Sequence, residues 1–207
     1  MAWLPDDFQW DLGEPLDGDR ALALTSTAMS GIKVALCITG GIAAFRCPGL
    51  IRQLRRNGAD VHAITTPTAL QFVTVDALAW TSTYAPLTAL DGRAQHVENP
   101  PDIYLVAPAS YSSINKFAHG IADNAVTTTL ASALGHLQSG HSAIVLAPTM
   151  HGSMVNAILR ESLAKLANLG VTVLPPLARD GKALLPSDEE LVRAVIQASQ
   201  TLKKKRQ

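Results

Sequence analysis

Residues 32–38 read Ile-Lys-Val-Ala-Leu-Cys-Ile, apolar at all but one position, and then meet Thr39-Gly40-Gly41. An unbroken apolar run of this length, bounded by glycine, predicts a strand buried on both faces. Beyond the glycines the period changes. Leu50, Ile51 and Leu54 recur at helical spacing, which predicts a helix over 42–56. Gly58 stops that helix, and the apolar segment 61–65 follows as a second strand, completing a β-α-β unit.

The same alternation continues. Apolar runs at 103–107, 143–147 and 171–174 each stop at proline, namely Pro108, Pro148 and Pro175-Pro176. Helical patterns occupy 68–78, 112–119, 124–134, 155–169 and 188–202. Buried strands alternating with helices predict a parallel sheet covered on both faces. The handedness of such crossovers makes an open, doubly wound α/β sheet in a single domain the expected architecture. Ligands of that architecture sit beyond the carboxyl ends of the strands. The informative loops are therefore 39–42, 66–68, 108–110 and 148–151, all expected on one rim.

Charge narrows the function. Seventeen Lys and Arg balance seventeen Asp and Glu in 207 residues, without the basic surplus that drives nucleic-acid binding. Residues 124–159 contain no charged side chain, yet Thr127-Thr128-Thr129, Gln138-Ser139-Gly140 and Pro148 interrupt them too often for a membrane span. A surface buried against other subunits and a large core both explain such a stretch. The first thirty residues are acidic, the wrong sign for a secretory leader. They carry Trp3, Phe8 and Trp10, for which partial docking on a neighbour is expected, with a disordered segment as the alternative. Two cysteines, Cys37 and Cys47, are too few for a disulfide framework or a zinc site and fit a reducing cytoplasm. The expected organisation is an N-terminal extension (1–30), one domain (31–202) and a basic tail (203–207).

Gly40-Gly41 between a strand and a helix lets backbone approach a phosphate, and the helix start offers unpaired N–H groups. A plain tight turn remains an alternative. The spacing is not G-x-G-x-x-G, and no acidic residue ends the second strand, so a mononucleotide phosphate is favoured over NAD. Thr66 and Thr68 open the next loop, where their hydroxyls either bind the same phosphate or cap the following helix.

Taken together, Thr39-Gly40-Gly41-Ile42-Ala43-Ala44-Phe45, Thr66-x-x-Ala69-x-x-Phe72, His96 ahead of Asp102, Pro108-Ala109-Ser110, the run 116–124 and Ala147-Pro148-Thr149-Met150 resemble the flavin-dependent cysteine decarboxylases. That family includes the phosphopantothenoylcysteine and lantibiotic-peptide decarboxylases. The resemblance spans roughly residues 32–176. It implies a three-layer flavodoxin-like (Rossmann-like) fold that binds FMN, assembles as a homotrimer or dodecamer and acts on a small-molecule or peptide thiol. By position, Gly40, Gly41, Ile42, Thr66 and Thr68 would hold the phosphate and ribityl chain. Phe72, Ser110, Ser113 and Met150 would lie around the flavin. His96 would handle the substrate carboxylate or a proton, work that suits an imidazole. His62, His119, His136 and His141 have no such support. Oxidation of the thiol to a thioaldehyde would supply the electron sink for loss of carbon dioxide.

Two motifs depart from the family. Ser112 stands where a larger polar side chain is usual, and His151 where an asparagine helps bind the carboxylate. Both are retained as candidate catalytic residues. No cysteine follows Cys47, whereas bacterial coenzyme A enzymes use one in a C-terminal flap. Here the flap position reads Asp180-Gly181-Lys182-Ala183, and Lys182 either recognises an anionic substrate or is a solvated loop lysine. A flavin prenyltransferase and a non-decarboxylating FMN protein with electron-transfer or regulatory duties stand as alternatives. No metal, membrane or nucleic-acid partner is expected.

Overall fold

Alternate residues of β1 (Lys33–Ile38) feed two separate cores. Val34, Leu36 and Ile38 belong to one, Ala35 and Cys37 to the other, as the two-residue period of a strand requires when both faces are covered. The structure, a computed structural model, describes residues 16–82, 84–91 and 99–206. The other long strands are β2 (Asp60–Thr65), β3 (Ile103–Ala109) and β4 (Ala143–Pro148). Two-residue β5 (Met150–His151) and β6 (Thr172–Val173) follow, then β7 (Leu177–Arg179) and β8 (Lys182–Leu184). The main sheet is parallel, in the order β2-β1-β3-β4-β6. Its order reverses between β1 and β3, the switch point at which doubly wound sheets bind their ligands.

Helices cover both faces. On the first lie α1 (Cys47–Arg56), α2 (Val75–Ser82) and α6 (Asp188–Arg206), which contribute Leu50, Ile51, Leu54, Leu78, Leu191 and Val195. On the second lie α3 (Tyr111–Ala118), α4 (Ala125–Gln138) and α5 (Ala157–Asn168), which contribute Ile114, Phe117, Val126, Leu130, Leu159 and Leu166. The architecture is the doubly wound α/β sheet expected from the alternating runs, in the flavodoxin-like three-layer form that the resemblance implies. Much of the uncharged stretch is accounted for by the core, since β4 and the inner face of α4 are buried. Met154, Val155 and Ile158 in the same stretch are exposed.

Two expected helices are broken. Residues 42–56 form a 3₁₀ turn (Ile42–Arg46) and then α1, with Pro48 near the start of α1. Proline carries no N–H and tolerates only the first turn of a helix, so the break falls just before it. Residues 68–78 split into a 3₁₀ turn (Pro67–Gln71) and α2. The Thr66 hydroxyl accepts from the Ala69 N–H at 3.2 Å, and the Thr74 hydroxyl accepts from the Ala77 N–H at 3.2 Å, so each piece has its own cap. β3 continues past the expected stop at Pro108, with its register against β4 shifted between Val106 and Ala109.

At the amino ends of the strands Asp102 is a common anchor. Its Oδ2 accepts from the Lys33 N–H at 2.9 Å and its Oδ1 from Arg206 at 2.8 Å. α6 thus runs on through Lys203, Lys204 and Lys205, and these cations sit at the negative end of the helix dipole. Within the N-terminal extension, Met29 is fully buried, and the Thr25 and Met29 N–H groups donate to Arg56 and Asn57 carbonyls at 2.8 and 2.9 Å. Trp3, Phe8 and Trp10 lie outside the described residues. No helix among the described residues is long and apolar enough to cross a membrane.

Burial pushes both the Cys37 and the Cys47 thiol up to about 12. They belong to opposite cores, and both are free. Thiolate is the reactive form, so neither is expected to label with a disulfide reagent at pH 8 until the chain unfolds, when both react. A thiol whose pKa is raised on folding favours the native state below its unfolded value. Stability is therefore expected to fall from about pH 9 towards 12, where unfolded thiols ionise and folded ones do not. Urea titrations across that range check the sign.

Candidate functional site

β1, β3 and β4 end at one cleft of about 750 Å³. That lies within the roughly 300–1,000 Å³ usual for small-molecule sites. All four loops expected on one rim contribute to its lining.

Five helix starts converge there. Gly41 caps the turn Ile42–Arg46, Thr66 the turn Pro67–Gln71, Ser110 caps α3, Asn124 caps α4, and His151 caps a short turn, Gly152–Met154. Every one of these capping residues lines the cleft. Only α3 and α4 are long enough for their starts to carry a dipole's partial positive charge, and the Ser110 and Asn124 side chains already accept from some of their first N–H groups; those left over bias the lining towards an anionic ligand. Its one described carboxylate, Asp123, is already taken by the Lys116 ammonium. That hydrogen bond holds the Asp123 carboxyl below the usual carboxylate range.

The turn after β1 is held tightly against the turn after β2. A Cβ on Gly40 would lie 2.6 Å from Thr68 Cγ2 and 2.7 Å from Thr68 Cβ. Only a residue without a side chain permits that approach. Beside it, the buried Thr39 hydroxyl donates to the Pro108 carbonyl and accepts from the Ser110 N–H, both at 2.8 Å, which fixes the start of α3. The Ser110 hydroxyl donates to Ser113 Oγ at 3.2 Å.

The far side of the cleft is a second, antiparallel sheet in the order β5-β8-β7, which the hydrophobic pattern does not foreshadow. Met150 pairs with Ala183, and His151 with Lys182. Gly152 meets the hairpin turn so closely that its N–H donates to the Gly181 carbonyl at 2.9 Å. His151 Nδ1 accepts from the Ser153 N–H at 3.2 Å, which leaves Nε2 to carry the proton of the neutral ring. That N–H is available to a carboxylate. Arg46 joins the two halves. Its guanidinium donates to the Leu185 and Pro186 carbonyls at 3.1 and 2.8 Å and to Asp188 Oδ1 at 2.5 Å.

Of the residues expected at the site, Gly40, Gly41, Ile42, Thr66, Thr68, Ser110, Ser112, Ser113, Met150 and His151 line this cleft. Phe72 does not. It ends the 3₁₀ turn that Thr66 begins and stands 38% exposed. His96 lies outside the described residues. Lys116, Asp123 and Asn124 were visible only as parts of a motif without roles. For Asn124 the signal was present, an Asn directly before an apolar helical run.

The model of the Flavoprotein family matches residues 22–200. The chain belongs to the Flavoprotein family. It is 37% identical over 181 residues to the bifunctional coenzyme A biosynthesis protein CoaBC of Thermococcus kodakarensis, covering 84% of this chain and 44% of that protein. The chain therefore spans less than half the length of this curated relative. Among solved structures, the FMN-dependent cysteine decarboxylase SpaF superposes with a TM-score of 0.73 at 21% identity, over 84% of this chain and 99% of SpaF. TvaF, an FMN-dependent cysteine decarboxylase from thioviridamide biosynthesis, gives 0.67 at 26% identity, over 83% and 99%.

Proposed function

We propose that this protein is an FMN-dependent decarboxylase of a cysteine-containing thiol, with phosphopantothenoylcysteine as its substrate. One observation carries the reading: in a Flavoprotein-family chain, five helix starts and the loops after β1, β2, β3 and β4 meet at a single cleft. The relatives support the choice of reaction, for CoaBC is a coenzyme A biosynthesis protein and SpaF and TvaF are FMN-dependent cysteine decarboxylases.

The residues fit the cofactor. Gly40, Gly41, Ile42, Thr66 and Thr68 would hold its phosphate and ribityl chain in the tight junction of two turns, and Ser110, Ser113 and Met150 would border the ring. FMN, when bound, supplies oxidation of the thiol, which makes the adjacent carboxylate a leaving group. The protein would orient the thiol against the ring. His151 Nε2–H orients the carboxylate, and the Ser112 hydroxyl adds a second donor. His96 would handle the substrate carboxylate or a proton, a role resting on the resemblance alone.

The reading includes self-association as a trimer or dodecamer in the cytoplasm. Ile42 and Phe45, directly after the glycine turn, are 70% and 61% exposed, an apolar surface that a neighbouring subunit would cover. The purified protein is expected to be yellow, to release FMN near stoichiometry and to liberate carbon dioxide from phosphopantothenoylcysteine. Absorbance, mass of the released chromophore and trapped carbon dioxide check this. A colourless protein that fails to take up added FMN overturns it.

A further inference from the structure

The small sheet beside the cleft carries a row of basic side chains. His151 on β5 is paired with Lys182 on β8, and Lys182 with Arg179 on β7. Residues directly opposite one another in an antiparallel pair share a face, so all three stand on the same side of the sheet. Adjacent strands lie about 4.8 Å apart, so the row spans roughly 10 Å. His151 and Lys182 line the cleft, and Arg179 lies at the outer edge.

The like charges of Lys182 and Arg179, directly opposite one another, repel, and an anion bound beside them would relieve that repulsion. One carboxylate is at hand, Asp180, and it sits 3.5 Å from Arg179 at the outer end. Lys116, the other lysine of the cleft, is neutralised by Asp123. Lys182 forms no ion pair with any described residue. Its backbone is held in place: β8 is paired on both sides, Gly152 is bonded to the turn, and Arg46 secures the chain just beyond.

The anion is not the carboxylate that departs. A full positive charge against that group stabilises the reactant and loses its partner as carbon dioxide leaves, which raises the barrier. The productive partner is a second anion, remote from the reacting carbon and unchanged by the reaction. Resting on the decarboxylase reading above, we propose that Lys182, flanked by Arg179, is the specificity-determining residue for a terminal phosphate monoester on the thiol substrate. The site thereby selects a small phosphorylated thiol over a neutral cysteinyl peptide.

The test uses FMN-loaded protein and two compounds that differ only in that phosphate, phosphopantothenoylcysteine and pantothenoylcysteine, with their S-methyl ethers for binding without turnover. A hydrogen bond to a charged group predicts about tenfold to a hundredfold tighter binding of the phosphorylated ether, measured by calorimetry. The preference should shrink as salt rises. Lys182→Met abolishes it, Lys182→Arg preserves most of it, and Lys182→Glu inverts it, with matching changes in the KM ratio of the two thiols. Equal binding of both ethers by the unaltered protein overturns the proposal. So does loss of FMN from Lys182→Met, which would assign the lysine to the cofactor phosphate. If the ethers behave as expected but neither thiol loses carbon dioxide, the phosphate site stands and the decarboxylase reading fails. If both thiols are decarboxylated without preference, the reverse holds.

Discussion

Replacing Gly40 by alanine is expected to abolish FMN binding at micromolar cofactor while leaving the chain folded. The new Cβ would sit 2.6 and 2.7 Å from two atoms of Thr68. One of these is a Cβ, which cannot rotate away, and threonine is stiff about χ1, so the whole 3₁₀ turn at Pro67–Gln71 must shift. Overpacking of this kind costs about 1–3 kcal/mol, or roughly 2–10 °C in a protein of this size. The larger loss falls on the cofactor, because the same two turns would grip its phosphate. Thr68→Gly removes both clashing atoms, so the double variant should regain much of the FMN affinity, and a double-mutant cycle read by fluorescence of free FMN measures the coupling. Thr68→Ala, which keeps the Cβ, should rescue far less. Undiminished FMN binding by the single variant would place the cofactor elsewhere.

The second large effect falls on the other side of the cleft. A Cβ on Gly152 would lie 2.2 Å from the Gly181 carbonyl oxygen, and the bond donated by the Gly152 N–H would be lost with the contact. Backbone rather than a flexible side chain is struck, so the hairpin of β7 and β8 must lift and its pairing with β5 must open. Gly152→Ala is expected to keep FMN and most of its thermal stability, but to lose about a hundredfold in kcat/KM, since a misplacement of about 1 Å has that effect on catalysis. Faster cleavage within residues 177–184 by a dilute protease would report the lifted hairpin directly. The two variants thus probe opposite sides of one cleft.

The sequence discloses these halves unequally. Val34, Leu36 and Ile38 alternate with Ala35 and Cys37 in a run that only a doubly covered strand needs, so the sheet was legible, and with it the rim on which Gly40, Thr66, Ser110 and His151 meet. The helix breaks at Pro48 and Thr74 come from single residues that end or start a helix. A pattern read over a dozen positions averages such residues away. The β5-β8-β7 sheet was illegible for a different reason. Its strands are two or three residues long and owe their conformation to pairing across the fold, not to local periodicity. Lys182 consequently read as either an anion-recognising residue or a solvated loop lysine, and only the register against His151 and Arg179 gives it a setting.

Arg46 also imposes an order of events in time. Its three acceptors lie 139 to 142 residues further along the chain. A ribosome makes the turn of Gly40 and Gly41 early and the acceptors of Arg46 only in the last stretch of the described chain. Until those residues are made, that arginine lacks these acceptors. Closing so long a loop is slow, and its entropy must be met before the contact returns anything. The cleft is therefore closed in the same late stage that adds α6, with Leu191 and Val195, to the first core, and a chain interrupted before Leu185 carries the Gly40-Gly41 turn without its anchor.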